Sequence, residues 1–139
     1  MKEINKIELL EAMTTTLKEY EERTHRAQLD SCQLCKLYHD GNGCSSCPMS
    51  VFEDSEGHIY PCMNRKCRPL TCSSIYYPKV TKTDMRLRAV IKFYKLAIKH
   101  VKTLTDDDFK GPNPFNFLID IDTKVAETLK IPEFYYIKL

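Results

Sequence analysis

All seven cysteines of this 139-residue chain fall between Cys32 and Cys72, and that crowding constrains the fold more than any other feature. They read C-x2-C-x8-C-x2-C through Cys32, Cys35, Cys44 and Cys47, then C-x4-C-x4-C through Cys62, Cys67 and Cys72. Two thiolates separated by two residues both turn inward from one tight backbone knuckle. Two such knuckles facing each other complete a sulfur tetrahedron at Zn–S distances of about 2.3 Å. The spacing therefore predicts a structural zinc site on Cys32, Cys35, Cys44 and Cys47, closed because all four positions are taken by sulfur. The same pairs suit an iron–sulfur cluster, and Cys47-Pro48 matches the Cys-Pro that ends some ferredoxin motifs. No third cysteine follows at ferredoxin spacing, so zinc leads.

Cys62, Cys67 and Cys72 lack a fourth sulfur, but His58 stands four residues before Cys62, and a neutral imidazole is a competent ligand. A second site of three thiolates and one imidazole is one reading. The others are that one or two of these cysteines are buried thiols, or that Cys62 replaces a member of the first site. His39, beside the turn between the knuckles, is a further ligand candidate or simply a surface histidine.

A metal reading presupposes a reducing compartment, where paired cysteines serve metals rather than disulfides, and an odd count of seven fits a closed disulfide set poorly. Met1-Lys2-Glu3-Ile4-Asn5 carries no apolar leader, and no run of eighteen apolar residues is present to span a membrane. The expectation is a cytoplasmic protein that does not enter a membrane.

The length suits a single domain over residues 1–139, with the metal supplying order that a small core cannot. Residues 1–29 form its amino-terminal helix: Ile4, Ile7, Leu10, Met13, Leu17 and Tyr20 recur every three or four residues from about Lys2 to Arg26. Residues 30–78 are the cysteine-rich unit, where Asp40-Gly41-Asn42-Gly43 predicts a short hairpin between the knuckles. Val51-Phe52 and His58-Ile59-Tyr60 form small strands or stay irregular. Residues 79–110 hold a second amphipathic helix from about Thr83 to Leu104, opened by the capping pattern Thr81-Lys82-Thr83-Asp84. Its apolar face is Leu87, Val90, Ile91, Tyr94, Ala97, Ile98, Val101 and Leu104. After the break Gly111-Pro112-Asn113-Pro114, residues 111–139 read as β-α-β. Phe115, Phe117, Ile119 and Ile121 alternate as a strand, Asp122 or Thr123 caps a short helix to Leu129, and Glu133–Ile137 supplies a second strand. The predicted fold is α+β: two amphipathic helices and a short carboxy-terminal sheet around a zinc-knuckle unit.

The formal net charge of +2 conceals a strong asymmetry. Residues 79–105 carry eight basic groups against Asp84 alone, while both ends of the chain are mildly acidic. Arg88, Lys92, Lys95, Lys99 and Lys102 step by four, three, four and three, which aligns them as one stripe beside the apolar face. Cations lined up on a rigid helix neutralise phosphates in a salt-sensitive, sequence-independent way, so the leading expectation is nucleic-acid binding through this helix. Arg65, Lys66 and Arg68 are positioned to join that surface. A merely solvated lysine face is the competing explanation. The alternative function is a protein-binding module that inhibits or redirects a host enzyme, contacting it through Phe134, Tyr135 and Tyr136 or through Asp106, Asp107 and Asp108. No G-x-S-x-G, P-loop, H-E-x-x-H or deaminase motif is present, and His100 lacks the companion ligand of an HNH nuclease, so no catalytic residues are assigned and no enzyme is expected.

The run Cys32-Gln33-Leu34-Cys35-Lys36-Leu37-Tyr38, followed by Cys44-Ser45-Ser46-Cys47-Pro48 and a further cysteine, resembles small cysteine-rich proteins of tailed bacteriophages over residues 20–72. The resemblance implies a phage setting, hence host takeover in the host cytoplasm, and brings no catalytic residues with it. Cys67, Cys72, the basic helix and the aromatic tail depart from that pattern.

Purified protein is expected to carry about one or two zinc ions per chain and to lose structure on chelation, because thiolate binding energy in such sites is folding energy. Elemental analysis with circular dichroism checks this. Iron with a visible charge-transfer band points to a cluster instead, and a metal-free, fully folded chain removes the metal site.

Overall fold

The structure is a computed structural model, and it describes residues 3–22, 33–38, 47–52 and 85–130. Its helices are α1 (Lys6–Glu22), α2 (Gln33–Tyr38), α3 (Met85–Val101) and α4 (Phe117–Leu129), with 3-10 turns at Pro48–Phe52 and Asp106–Phe109. No strand occurs among the described residues, so the α+β expectation is corrected to a helical architecture.

Helix α3 is the centre. Leu87, Ala89, Val90, Phe93, Tyr94, Ala97, Ile98 and Val101 are all buried, and at 100° per residue they occupy about half of the helix circumference. That arc is wider than the predicted face, because Ala89 and Phe93 extend it. A helix apolar on two flanks needs cover on both, and α1 and α4 supply it. Ile91 and Leu104, predicted for the core, are only half-buried at its margins.

The helix predicted for the amino terminus is present as α1, but its seam is rotated. Leu9, Ala12, Met13, Thr16 and Tyr20 are buried, whereas Ile7 is 68% exposed and Leu10 and Leu17 lie half in. Ala12 and Thr16 are buried small positions, and the Thr16 hydroxyl donates to the Ala12 carbonyl at 2.8 Å, so its burial leaves no polar group stranded. Tyr20 stacks on Tyr94 with ring centroids 5.6 Å apart. The start of α1 is capped by Asn5, whose side chain accepts from the Glu8 N–H at 3.1 Å.

Opposite helix ends are clasped by one residue. The Lys6 N–H, at the first turn of α1, donates to Asp106 Oδ1 at 2.8 Å, and Lys6 Nζ donates to the Lys102 carbonyl at the end of α3 at 3.0 Å. A carboxylate meets the positive end of one helix and an ammonium the negative end of the other. This clasp together with the Tyr20–Tyr94 stack makes α1 and α3 run in opposite directions. Beyond α3, the Thr105 N–H donates to Asp108 Oδ2 at 2.7 Å and starts the Asp106–Phe109 turn.

The Gly-Pro-Asn-Pro break is pinned at each end by a buried ring. Phe109 and Phe115 lie 5.9 Å apart, and between them Asn113 takes φ 52°, a left-handed conformation that asparagine tolerates. The chain thereby reverses, and α4 returns along α3.

Here the predicted strand fails. Alternation through Phe115, Phe117, Ile119 and Ile121 also contains the i, i+4 pairs of a helix, and Leu118, Asp122, Val125 and Ala126 are the buried positions at i, i+4, i+7 and i+8. Asp122 is inside the helix rather than capping it, and Thr123 bonds back to the Ile119 carbonyl at 3.1 Å. The helix stops at Lys130 (φ 52°), whose N–H reaches the Ala126 carbonyl, and Pro132 follows. Val51-Phe52 is part of a 3-10 turn, not a strand. The Asp40–Gly43 hairpin, the Thr81–Asp84 cap, residues 58–60 and the strand at 133–137 lie outside the described residues.

No helix among the described residues is long and apolar enough to cross a membrane.

Phe93→Ala is expected to lower unfolding free energy by about 3–5 kcal/mol, and Ile7→Ala by less than about 0.5 kcal/mol, in denaturant titrations. Equal effects contradict the rotated α1 seam.

Candidate functional site

Five cations project from α3 because its opposite side is committed to the core. Arg88, Lys95, Lys99 and Lys102 are exposed and Lys92 is half-buried. Helical geometry confines them to an arc of about 80° and a length of about 21 Å. The Lys102 N–H still bonds to the Ile98 carbonyl at 3.1 Å, which keeps the last cation in helical register. Every residue predicted for this stripe is thus brought onto one surface.

Carboxylates approach the stripe at two places. Lys95 Nζ lies 4.0 Å from Glu21 Oε2, with both side chains about half exposed (59% and 47%), so water and salt weaken the pairing. At the carboxy-terminal end Asp106 is occupied by the Lys6 N–H, and Asp107 pairs with Lys110 at 2.8 Å. That hydrogen bond and the Lys110 charge hold the Asp107 carboxyl below its usual range. Lys6 Nζ, delivered to the Lys102 carbonyl, adds a sixth cation at the same end. Sequence spacing could not reveal Lys6, since it lies 96 residues from Lys102.

His100 is exposed one residue beyond Lys99, and its ring lies 4.8 Å from that of Phe117, tilted by 34°. Ala89, Phe93 and His100 fall on the α4 side of α3, so this pair marks the edge of the basic surface nearest α4.

Of the predicted metal ligands, Cys32, Cys44, His58, Cys62, Cys67 and Cys72 lie outside the described residues, as do His39, Arg65, Lys66 and Arg68. Cys35 rides on α2, although its side chain is outside the description. Cys47 is buried and directly precedes the Pro48–Phe52 turn. Both C-x-x-C pairs therefore run into short helical turns. Leu34 and Tyr38 bury α2, which packs on α1, and Met49 buries the 3-10 turn, which packs on α4. Among the described residues no three potential ligands gather as a metal site. Burial of Cys47 beside an apolar turn is compatible with a ligand thiolate and equally with an ordinary core thiol.

Tyr38, the last residue of the Cys32–Tyr38 run, is buried with a polar end. Its ring belongs to the core, yet its hydroxyl has no hydrogen-bond partner among the described residues. Burial first, then the Glu8 and Cys47 charges, push its pKa from 10.0 up to about 12. Each of these causes disfavours the phenolate.

No family model, curated protein or solved structure matches this chain.

Removing an unpaired buried hydroxyl should stabilise, so Tyr38→Phe is expected to raise unfolding free energy by about 1 kcal/mol at neutral pH. In the wild type the folded state holds this proton to a higher pH than the unfolded state does. That contribution is complete below pH 10 and is lost as pH rises through about 12. Tyr38→Phe should flatten this alkaline fall in stability, measured by denaturant titration across the window.

Proposed function

We propose that this chain is a small accessory protein, of phage type, that binds nucleic acid through α3 and uses zinc in its cysteine-rich segment for structure. The observation that carries the reading is the five-cation stripe on the outer side of a helix buttressed on both flanks. A rigid row of cations meets phosphates without losing further backbone freedom, and counterions released from the nucleic acid drive the association. Sequence independence follows, because the row contacts backbone rather than base edges. Lys6 extends the row, and the weak Glu21–Lys95 contact gives way readily to a phosphate.

Zinc, when bound, cross-links the two cysteine knuckles. The chain's own part is to dock each knuckle through Leu34 and Tyr38 on one side and Met49 on the other. In this reading the cysteine segment orients elements around α3 and takes no part in chemistry. The alternative of a module that inhibits or redirects a host enzyme has less support. Of its contact residues, Asp106 and Asp108 are already engaged within the chain, whereas Phe134, Tyr135 and Tyr136 lie outside the described residues and weigh on neither reading.

Replacing Lys92, Lys95 and Lys99 together by Gln should leave the helical circular dichroism unchanged and weaken binding to duplex and single strand alike. The slope of log affinity against log salt should flatten by about two to three units, one phosphate contact being lost per residue. Anisotropy titrations at several salt concentrations measure both. Absence of wild-type binding at low salt eliminates the reading.

A further inference from the structure

The His100–Phe117 pair stands where the basic stripe ends, and its exposure sets it apart from the other ring contacts of the core. Tyr20, Phe93, Tyr94, Phe109 and Phe115 are buried. His100 is exposed, while Phe117, the first residue of α4, lies half-buried behind it. The 4.8 Å centroid separation and 34° interplanar angle put the imidazole in tilted contact with the phenyl ring. Phe117 is in turn held by Phe115 at 6.5 Å, and Phe115 by Phe109 at 5.9 Å. A flat polar ring at the surface is thus backed by a row of aromatic contacts running from Phe117 through Phe115 to Phe109. Nothing in core packing requires that ring to remain exposed.

About 100° of helix rotation separates His100 from Lys99, so a chain whose phosphates follow the stripe carries its bases past the imidazole on the α4 side. In a duplex the base faces are closed by stacking, and an exposed ring beside the backbone meets only sugars and phosphates. A single strand offers open faces, and base stacking on an aromatic or histidine side chain is how such strands gain affinity beyond phosphate neutralisation. From this juxtaposition we infer that His100, backed by Phe117, is a stacking platform for an unpaired nucleobase, and that the ligand of the basic surface is single-stranded nucleic acid. The inference rests on the nucleic-acid reading of α3 and specifies its substrate class.

Anisotropy titrations of the full chain against three probes of equal length test it: single-stranded oligothymidylate, a duplex, and an abasic single strand that keeps the phosphates but lacks the bases. Wild type should bind oligothymidylate more tightly than the abasic strand. His100→Ala should lower oligothymidylate affinity by roughly five- to a hundred-fold, the range for one stacked base, to the abasic level. His100→Phe should restore it, and Phe117→Leu should fall between, with circular dichroism confirming that each variant folds. The salt slope should not change with His100→Ala, since no phosphate contact is removed. That separates the platform from the lysine row. Equal wild-type affinity for the thymidylate and abasic strands, or wild-type affinity in His100→Ala, overturns the platform while leaving phosphate binding intact. Failure of the wild type to bind any of the three probes removes the nucleic-acid reading and the platform with it.

Discussion

The two-sided burial of α3 is the constraint on which the described structure depends. Phe93 and Tyr94 are adjacent in sequence, and their side chains diverge by about 100°, so one partner helix cannot cover both. Tyr94 turns to α1, where it meets Tyr20, and Phe93 turns to the side that α4 closes. Their rings nonetheless touch edge to face at 5.4 Å, so the two halves of the core are continuous. Apolar transfer of this kind contributes about 1.5–3 kcal/mol per large side chain, far more than any surface ion pair of the molecule.

Burying one side of α3 so completely determines what its remaining surface must be. Apart from His100 at the α4 edge, the exposed described positions of α3 fall on the opposite arc, and in this chain that arc is populated by five cations with no acid between them. The acids that balance them lie on α1 and in the Asp106–Asp108 turn, where much of their charge is used internally. Asp106 caps α1, Asp108 caps its own turn, and Asp107 pairs with Lys110. The positive field of α3 thus survives folding at most of its length, with Glu21 the one carboxylate paired against it among the described residues.

The cysteine segment relates to this core through its helical turns. Leu34, Tyr38, Cys47 and Met49 all enter the apolar interior, so α2 and the Pro48–Phe52 turn are packed against α1 and α4. In the proposed function metal ligation would add to this docking, since thiolate binding energy in such sites is folding energy. The Tyr38 ring belongs to this interior, and its hydroxyl has no hydrogen-bond partner among the described residues.

Helical period alone determined α1 and α3, because each repeats apolar residues over four or more turns without Gly or Pro. The basic stripe was equally legible, since residues three and four apart on a helix must be neighbours. The Gly-Pro-Asn-Pro break was readable for the same local reason. Tertiary structure decided the rest. Which arc of α1 faces inward is set by its packing on α3 and α2, which buries Ala12 and Thr16, leaves Leu17 half-buried and leaves Ile7 exposed. Residues 115–121 are compatible with a strand or a helix until α3 offers a long surface to lie against, and a helix buries Leu118, Val125 and Ala126 there together. The Lys6 clasp and the His100–Phe117 pair join residues from separate helices. Local sequence sets the period of an element, whereas the rotation of that element and the partners of its ends are properties of the surface against which it packs.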